Sequence, residues 1–148
     1  MQQKAHKIIT IFGSSSEKKG SQLYLDAEKL GYELCKQKFI IRSGGQCENQ
    51  GIMSAVSLGA EKANKEFNTN HSIQGIVIFE KDWGGAVPQC TDIFRAENIG
   101  QRTEMLCKDS QAFIENFEDQ GVNESVLDCF IFCNSSQEIL DHLSQNPL

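Results

Sequence analysis

The sequence lacks the features that mark nucleic-acid-binding and membrane proteins. It has 14 Lys and Arg against 20 Asp and Glu, a formal net charge of −6, whereas binding to a nucleic-acid backbone needs clustered cations. No apolar run approaches the roughly 18 residues of a membrane-spanning helix. The N-terminal residues resemble neither a signal peptide nor a transit peptide. We therefore expect a cytoplasmic protein with no nucleic-acid or membrane partner.

The cysteines also lack the spacing of a metal site or of a disulfide framework. There is no Cys-x-x-Cys pair, and no His lies at ligand spacing beside a cysteine, so we expect reduced, mostly buried thiols and no metal. The six are Cys35, Cys47, Cys90, Cys107, Cys129 and Cys133. Of these, only Cys47 falls in a candidate ligand loop, where a spectator role remains the simpler interpretation.

With only two prolines, and with no repeat or linker, residues 1–148 are predicted to form one domain. Short apolar runs predict strands, and apolar residues at helical spacing predict helices between them. The predicted strands are 7–12, 39–42, 73–79, 111–114 and 126–133; the predicted helices are 22–38, 51–66, 95–109 and one opening at Ser135; 81–91 is a predicted loop. This alternation predicts a single three-layer Rossmann-like α/β domain with a mainly parallel sheet of about five strands.

Two predicted strands run directly into glycine-bearing loops that precede helices. Gly13-Ser14-Ser15 follows the first strand, and Gly44-Gly45 follows the second, with Gly51 opening the next helix. In open α/β sheets, ligands bind at the carboxyl ends of the strands, where glycines permit close approach and helix N–H groups face phosphate. The sequence therefore predicts a phosphate-binding site at this edge.

The same residues resemble the Lonely Guy (LOG) family, the cytokinin-activating phosphoribohydrolases long labelled lysine decarboxylases. The resemblance covers roughly residues 7–115 and is carried by Phe12-Gly13-Ser14-Ser15, Gly44-Gly45, Gly51-Ile52-Met53, Gly59-Ala60, Arg102, Met105, Ser110 and Ala112-Phe113-Ile114. It implies a Rossmann-like fold, a dimer, no cofactor, and cleavage of the N-glycosidic bond of nucleoside 5′-monophosphates. By the same resemblance, Arg102 and Glu124 are the candidate catalytic residues. The candidate substrate- and phosphate-binding residues are Gly13, Ser14, Ser15, Gly44, Gly45, Gly51, Met53 and Gly121.

The chain departs from the family at its main motif, Pro-Gly-Gly-x-Gly-Thr-x-x-Glu. The ungapped counterpart is 117–125, in which only Gly121 matches. Ser125 stands in place of the catalytic acid, and Glu124 lies one residue early. Glu118 and Asp119 place negative charge where phosphate would dock. The departures predict lost or weak catalysis.

Three functions are compatible with these residues. The favoured one is a LOG-like nucleotide-binding or structural subunit with lost or weak catalysis. The alternative is an active phosphoribohydrolase for AMP-like or cytokinin-like nucleotides, and a third is a carrier of another phosphorylated cofactor at the same strand ends. The expected ligand is a nucleoside monophosphate or sugar phosphate. The expected assembly is a homodimer, or a subunit of a larger complex, formed through the predicted helix 95–109.

Overall fold

In the computed structural model, the described residues form a parallel sheet with helices on both faces. The described residues are 6–45, 51–78, 86–115, 130–132, 141, 144 and 145. Their strands are β1 (Ile8–Phe12), β2 (Ile40–Ser43), β3 (Ile73–Ile78), β4 (Asp92–Ala96), β5 (Ser110–Glu115) and β6 (Phe130–Phe132). Their helices are α1 (Gln22–Lys36), α2 (Gly51–Glu66) and α3 (Ile99–Cys107). This confirms the α/β Rossmann-like fold class.

The order of the strands places a crossover at the centre of the sheet. The order is β4-β3-β2-β1-β5-β6, and all neighbouring strands are parallel. The chain therefore builds outward from β1 to β4 and then returns to the other side of β1 to form β5. Ligand crevices in open α/β sheets lie at such a reversal, outside the carboxyl ends of the strands. Here, the reversal lies between β1 and β5, whose ends pair at Phe12 and Glu115.

One face of the sheet is covered by α1 and α2, which approach each other through glycines. A Cβ added at Gly31 would lie 2.1 Å from the carbonyl oxygen of Val56, and one at Gly59 would lie 1.8 Å from that of Glu28. The two helices therefore pack backbone to backbone, which only glycine permits. The large apolar core forms between this helix pair and the strands.

The opposite face carries α3, which is short and largely exposed. Leu106 is its one fully buried residue, and it packs with Ile76, Ile78 and Ala96. The helix is also held by polar contacts, one of which is a 2.9 Å hydrogen bond from Thr10 Oγ1 on β1 to the Leu106 carbonyl oxygen. Its attachment to the sheet thus depends on hydrogen bonds as well as on apolar burial.

The boundary before α3 differs from the sequence prediction. The prediction began a helix at Arg95, but residues 92–96 form the edge strand β4, and α3 begins at Ile99. Asn98 is the N-cap, with its side chain accepting a hydrogen bond from the Gln101 N–H at 2.8 Å. The described strands number six instead of about five, because this strand was missed.

Candidate functional site

The first glycine loop packs directly on the start of α2. A Cβ added at Gly13 would lie 2.2 Å from the Cβ of Ile52. Gly51 has a φ of +82°, and a Cβ there would lie 2.9 Å from the carbonyl oxygens of both Ser14 and Ser15. Glycine is therefore required at both positions. The structure brings together four predicted site residues: Gly13, Ser14, Ser15 and Gly51.

This contact occupies the first amides of α2. The Gly51 N–H donates to the carbonyl oxygen of Glu17 at 2.8 Å, and the Ile52 N–H donates to that of Ser14, also at 2.8 Å. These two donors therefore face the protein's own loop, whereas the sequence pattern predicted that they would face a phosphate. The reason is that the loop after β1 closes over the helix start and satisfies its N–H groups.

Hydroxyl groups and positive charge lie on the outer side of this loop. Ser15 is exposed and Ser14 is half-buried. The Ser14 Oγ accepts a hydrogen bond from the Ser16 N–H at 3.1 Å, which folds the loop on itself. Lys18 and Lys19 follow in the same loop, and both are exposed. The loop begins at the carboxyl end of β1, one of the two strands that flank the central crossover.

The second glycine loop is packed equally tightly. A Cβ at Gly44 would lie 2.1 Å from Arg102 Nη2 and 2.4 Å from Met53 Sδ. Gly45 has a φ of +62°, and a Cβ there would lie 2.5 Å from the Cα of Gly75. Gly44, Met53 and Arg102 thus form one contact group at the carboxyl end of β2. Contacts within the protein account for both glycines.

The Arg102 side chain links three elements. From α3 its Nε donates to the carbonyl oxygen of Ile76 on β3 at 2.8 Å, and its Nη2 donates to that of Gly44, after β2, at 3.0 Å. A planar guanidinium can hold two acceptors in a fixed fork. The Nε and Nη2 groups of Arg102 join α3 to the carboxyl ends of β2 and β3. Arg102 therefore has a structural role in addition to its predicted catalytic role.

A second arginine is buried against the C-terminal end of α3, although no motif in the sequence marks it as a site residue. Arg42, on β2, is only 8% exposed. Its Nη1 donates to the carbonyl oxygens of Met105 at 3.1 Å, of Leu106 at 3.4 Å and of Lys108, while its Nε donates to Gln74 Oε1 at 2.9 Å. Burial is the main effect on the pKa of Arg42 and lowers it. The cation caps the C-terminal end of α3, where positive charge is favoured. The available sequence signal was a charged residue ending an apolar strand.

The remaining predicted site residues, Gly121 and Glu124, lie outside the described part of the chain, as does Cys47. The described cysteines are Cys35, Cys90 and Cys107, all of them free thiols. Burial raises the pKa of Cys35 to about 11, which keeps this thiol protonated. Among the residues that the structure describes, no three His, Cys, Asp or Glu side chains group as metal ligands. Within the same residues, no helix is both long and apolar enough to cross a membrane.

Comparison with known proteins identifies the fold. No protein-family model and no curated protein sequence matches the chain. The molybdenum cofactor carrier protein from Chlamydomonas reinhardtii superposes with a TM-score of 0.70 at 11% identity, over 95% of this chain and 98% of that one. The structural genomics target TM1055 gives a TM-score of 0.68 at 14% identity, over 95% and 99%.

The molybdenum cofactor binding protein from the phototrophic bacterium Rippkaea orientalis gives a TM-score of 0.60 at 21% identity, over 97% of this chain and 88% of that one. At these identities, the likeness establishes a shared fold across nearly the whole chain.

Proposed function

We propose that this chain is a LOG-like protein that binds a phosphorylated small molecule at the carboxyl ends of β1 and β2, with lost or weak catalysis. The observation that carries the proposal is the crossover between β1 and β5. There the Gly13-Ser14-Ser15 loop emerges beside the crevice where ligands of open α/β sheets bind. The exposed Ser15, Lys18 and Lys19 supply hydroxyl and ammonium donors suited to phosphate oxygens.

Two features support weak catalysis. The Arg102 guanidinium donates to the main-chain carbonyls of Ile76 and Gly44, so reorienting it toward a ribose would break bonds that join three elements. In addition, the sequence places Ser125 where the LOG motif has its acid. A serine hydroxyl cannot stabilise an oxocarbenium-like sugar as an ionised carboxylate does.

The second candidate function is that of a cofactor carrier. Its support is the fold that this chain shares with the molybdenum cofactor carrier protein from Chlamydomonas reinhardtii and the molybdenum cofactor binding protein from Rippkaea orientalis. Carriage requires a site that holds a ligand without reacting with it, and the altered catalytic motif at 117–125 agrees with this requirement.

The test is to incubate the protein separately with AMP, ribose 5-phosphate and the molybdenum cofactor, and to measure binding calorimetrically and base release chromatographically. We expect binding of at least one ligand, with no adenine release at an enzymatic rate of about 1 s⁻¹. Release at that rate would establish the phosphoribohydrolase alternative. Failure of all three to bind would refute the proposal.

A matched pair of variants locates the site. Ser15→Ala removes one exposed hydroxyl at the carboxyl edge, and we expect binding to weaken by about 2–10-fold, the value of one neutral hydrogen bond. Thr69→Ala removes another exposed hydroxyl, from the loop between α2 and β3, which lies at the amino ends of the strands. That control should bind as the parent does. Equal affinities in both variants would place the ligand elsewhere.

A further inference from the structure

The edge strand β4 exposes large apolar side chains on both faces of the sheet. Phe94 is 42% exposed and Ile93 is 43% exposed. Phe94 pairs with Ile76, which lies on the α3 face, whereas Ile93 pairs with Gly75 and points to the other face. Sheet edges of soluble proteins are normally protected, since exposed apolar edge strands template pairing with other chains. This edge therefore has the character of an interface.

Hydrogen bonds of β3 show which main-chain groups of β4 face outward. The Ile73 carbonyl accepts from the Thr91 N–H, so it points toward β4. The Ile76 carbonyl accepts a hydrogen bond from Arg102, which also donates to the carbonyl of Gly44, the residue that follows β2. The Ile76 carbonyl therefore points toward β2. Main-chain groups alternate along a strand, and β3 therefore bonds to β4 through Ile73, Gly75 and Val77.

In a parallel pair, a residue bonds to the two residues that flank the one opposite it. The residues of β4 that bond to Ile73, Gly75 and Val77 are therefore Asp92 and Phe94, which lie opposite Gln74 and Ile76. The N–H of Ile93, lying between them, points away from β3 and toward the outer side of the sheet. Thus both the apolar side chains and a main-chain donor are directed to this edge.

We propose that β4 pairs antiparallel with β4 of a second copy of this chain, around a two-fold axis through Phe94. In this register Phe94 lies opposite the second copy's Phe94, Ile93 opposite Arg95, and Asp92 opposite Ala96. The Ile93 N–H of each copy donates to the Arg95 carbonyl oxygen of the other. A carbonyl oxygen has two lone pairs and can accept more than one hydrogen bond.

Side-chain chemistry selects this register. The two Phe94 rings would share one face in a non-hydrogen-bonded pair, where Cα atoms approach to about 4.5 Å and side chains are closest. The aliphatic stem of Arg95 would cover the second copy's exposed Ile93. No like charges lie opposite each other. The neighbouring register, centred on Ile93, would instead set Phe94 against Asp92.

The pairing of β4 with a second copy does not depend on the proposed ligand. Only five residues of each copy pair along β4, and interfaces below the standard size are weak or transient. We therefore expect a dimer that dissociates at micromolar concentrations and is populated when the protein is concentrated.

The first test is sedimentation velocity over a concentration series. The parent protein should shift from monomer to dimer, and Phe94→Glu should weaken association by at least about tenfold, since it sets two carboxylates opposite each other at the axis. Leu25→Glu is the matched control, because Leu25 is 49% exposed on α1, away from the sheet edge. It should dimerise as the parent does. A parent protein that remains monomeric at every concentration would overturn the proposal.

The second test is NMR-detected amide exchange, which identifies the surface used. The Ile93 amide should exchange at least about tenfold more slowly in the dimer than in dilute protein, whereas the Phe94 amide, bonded to β3, should be protected at both concentrations. This comparison uses the parent protein alone and holds even if Phe94→Glu does not fold. A dimer with a rapidly exchanging Ile93 amide would use another surface, such as α3, and would refute the β4 register.

Discussion

Replacing Arg102 by methionine tests whether this side chain joins elements of the fold or only serves a ligand. Methionine keeps much of the apolar stem but removes the donors to the carbonyl oxygens of Ile76 and Gly44. Hydrogen bonds from a charged group contribute about 1.5–3 kcal/mol each when buried. Because Arg102 is half-buried, water can reach the vacated carbonyls, and the lower figure applies to each bond. We expect a loss of about 3 kcal/mol in the free energy of unfolding.

The assay is urea denaturation followed by far-UV circular dichroism, supported by thermal unfolding. For a chain of this size, about 3 kcal/mol corresponds to a fall in Tm of roughly 6–12 °C. Arg102→Lys should recover less than half of the loss, because an ammonium group cannot reproduce the planar fork. Lys29→Met, at an exposed position on α1, is the control and should change stability by no more than about 0.5 kcal/mol. If Arg102→Met is as stable as this control, the two bonds do not hold α3, and the reasoning is wrong.

Two further predictions concern helix packing and pH. Gly59→Ala would set a Cβ 1.8 Å from the Glu28 carbonyl oxygen, so it should lower the free energy of unfolding by about 1–3 kcal/mol or more. Gly100→Ala, an exposed position on α3, should cause no such loss, and equal losses in urea denaturation would refute this contrast. Burial, followed by the neighbouring His6, lowers the pKa of His71 below its ordinary value of about 6.5. The unfolded chain then binds this proton more readily, so stability should fall as pH drops from about 6.5 toward the lower folded-state pKa. The measurement is the free energy of unfolding from urea denaturation at about pH 7.5 and at about pH 5.5. The difference between the two values should be smaller in His71→Gln than in the parent, and an equal difference would contradict the prediction.

The main elements of the fold were predictable because their signals are local. The apolar stripe of α1 and the continuous apolar run of β3 match the periods of a buried helix face and a buried parallel strand. Strand β4 was missed because it is short and exposed at Phe94, and because its last residues, from Arg95 onward, also fit the helical pattern that continues into α3. The N-cap Asn98 was the signal that separates the two elements.

The sequence was enough to predict which loops lie close together at the site, but not which atoms in them form hydrogen bonds. The order of strand, glycine loop and helix was enough to bring Gly13 and Gly51 to the same edge. What each group bonds depends on residues distant in sequence. The Ser14 carbonyl meets the Ile52 N–H, and Arg102 reaches Gly44 across 58 positions. No local pattern encodes such pairs, and the cap that Arg42 places on α3 likewise becomes visible only in three dimensions.

The way in which α3 is held has a consequence for how the domain opens. Its apolar burial is confined mainly to Leu106, and its other anchors are hydrogen bonds from Arg42, Arg102 and Thr10. Segments with little buried apolar surface separate from a domain at a lower free energy than the core. Opening of α3 would withdraw Arg102 from the carboxyl ends of β2 and β3 while the packed pair of α1 and α2 stays intact. The predicted ligand edge would thus lose its shape by partial unfolding, well before the sheet itself is lost.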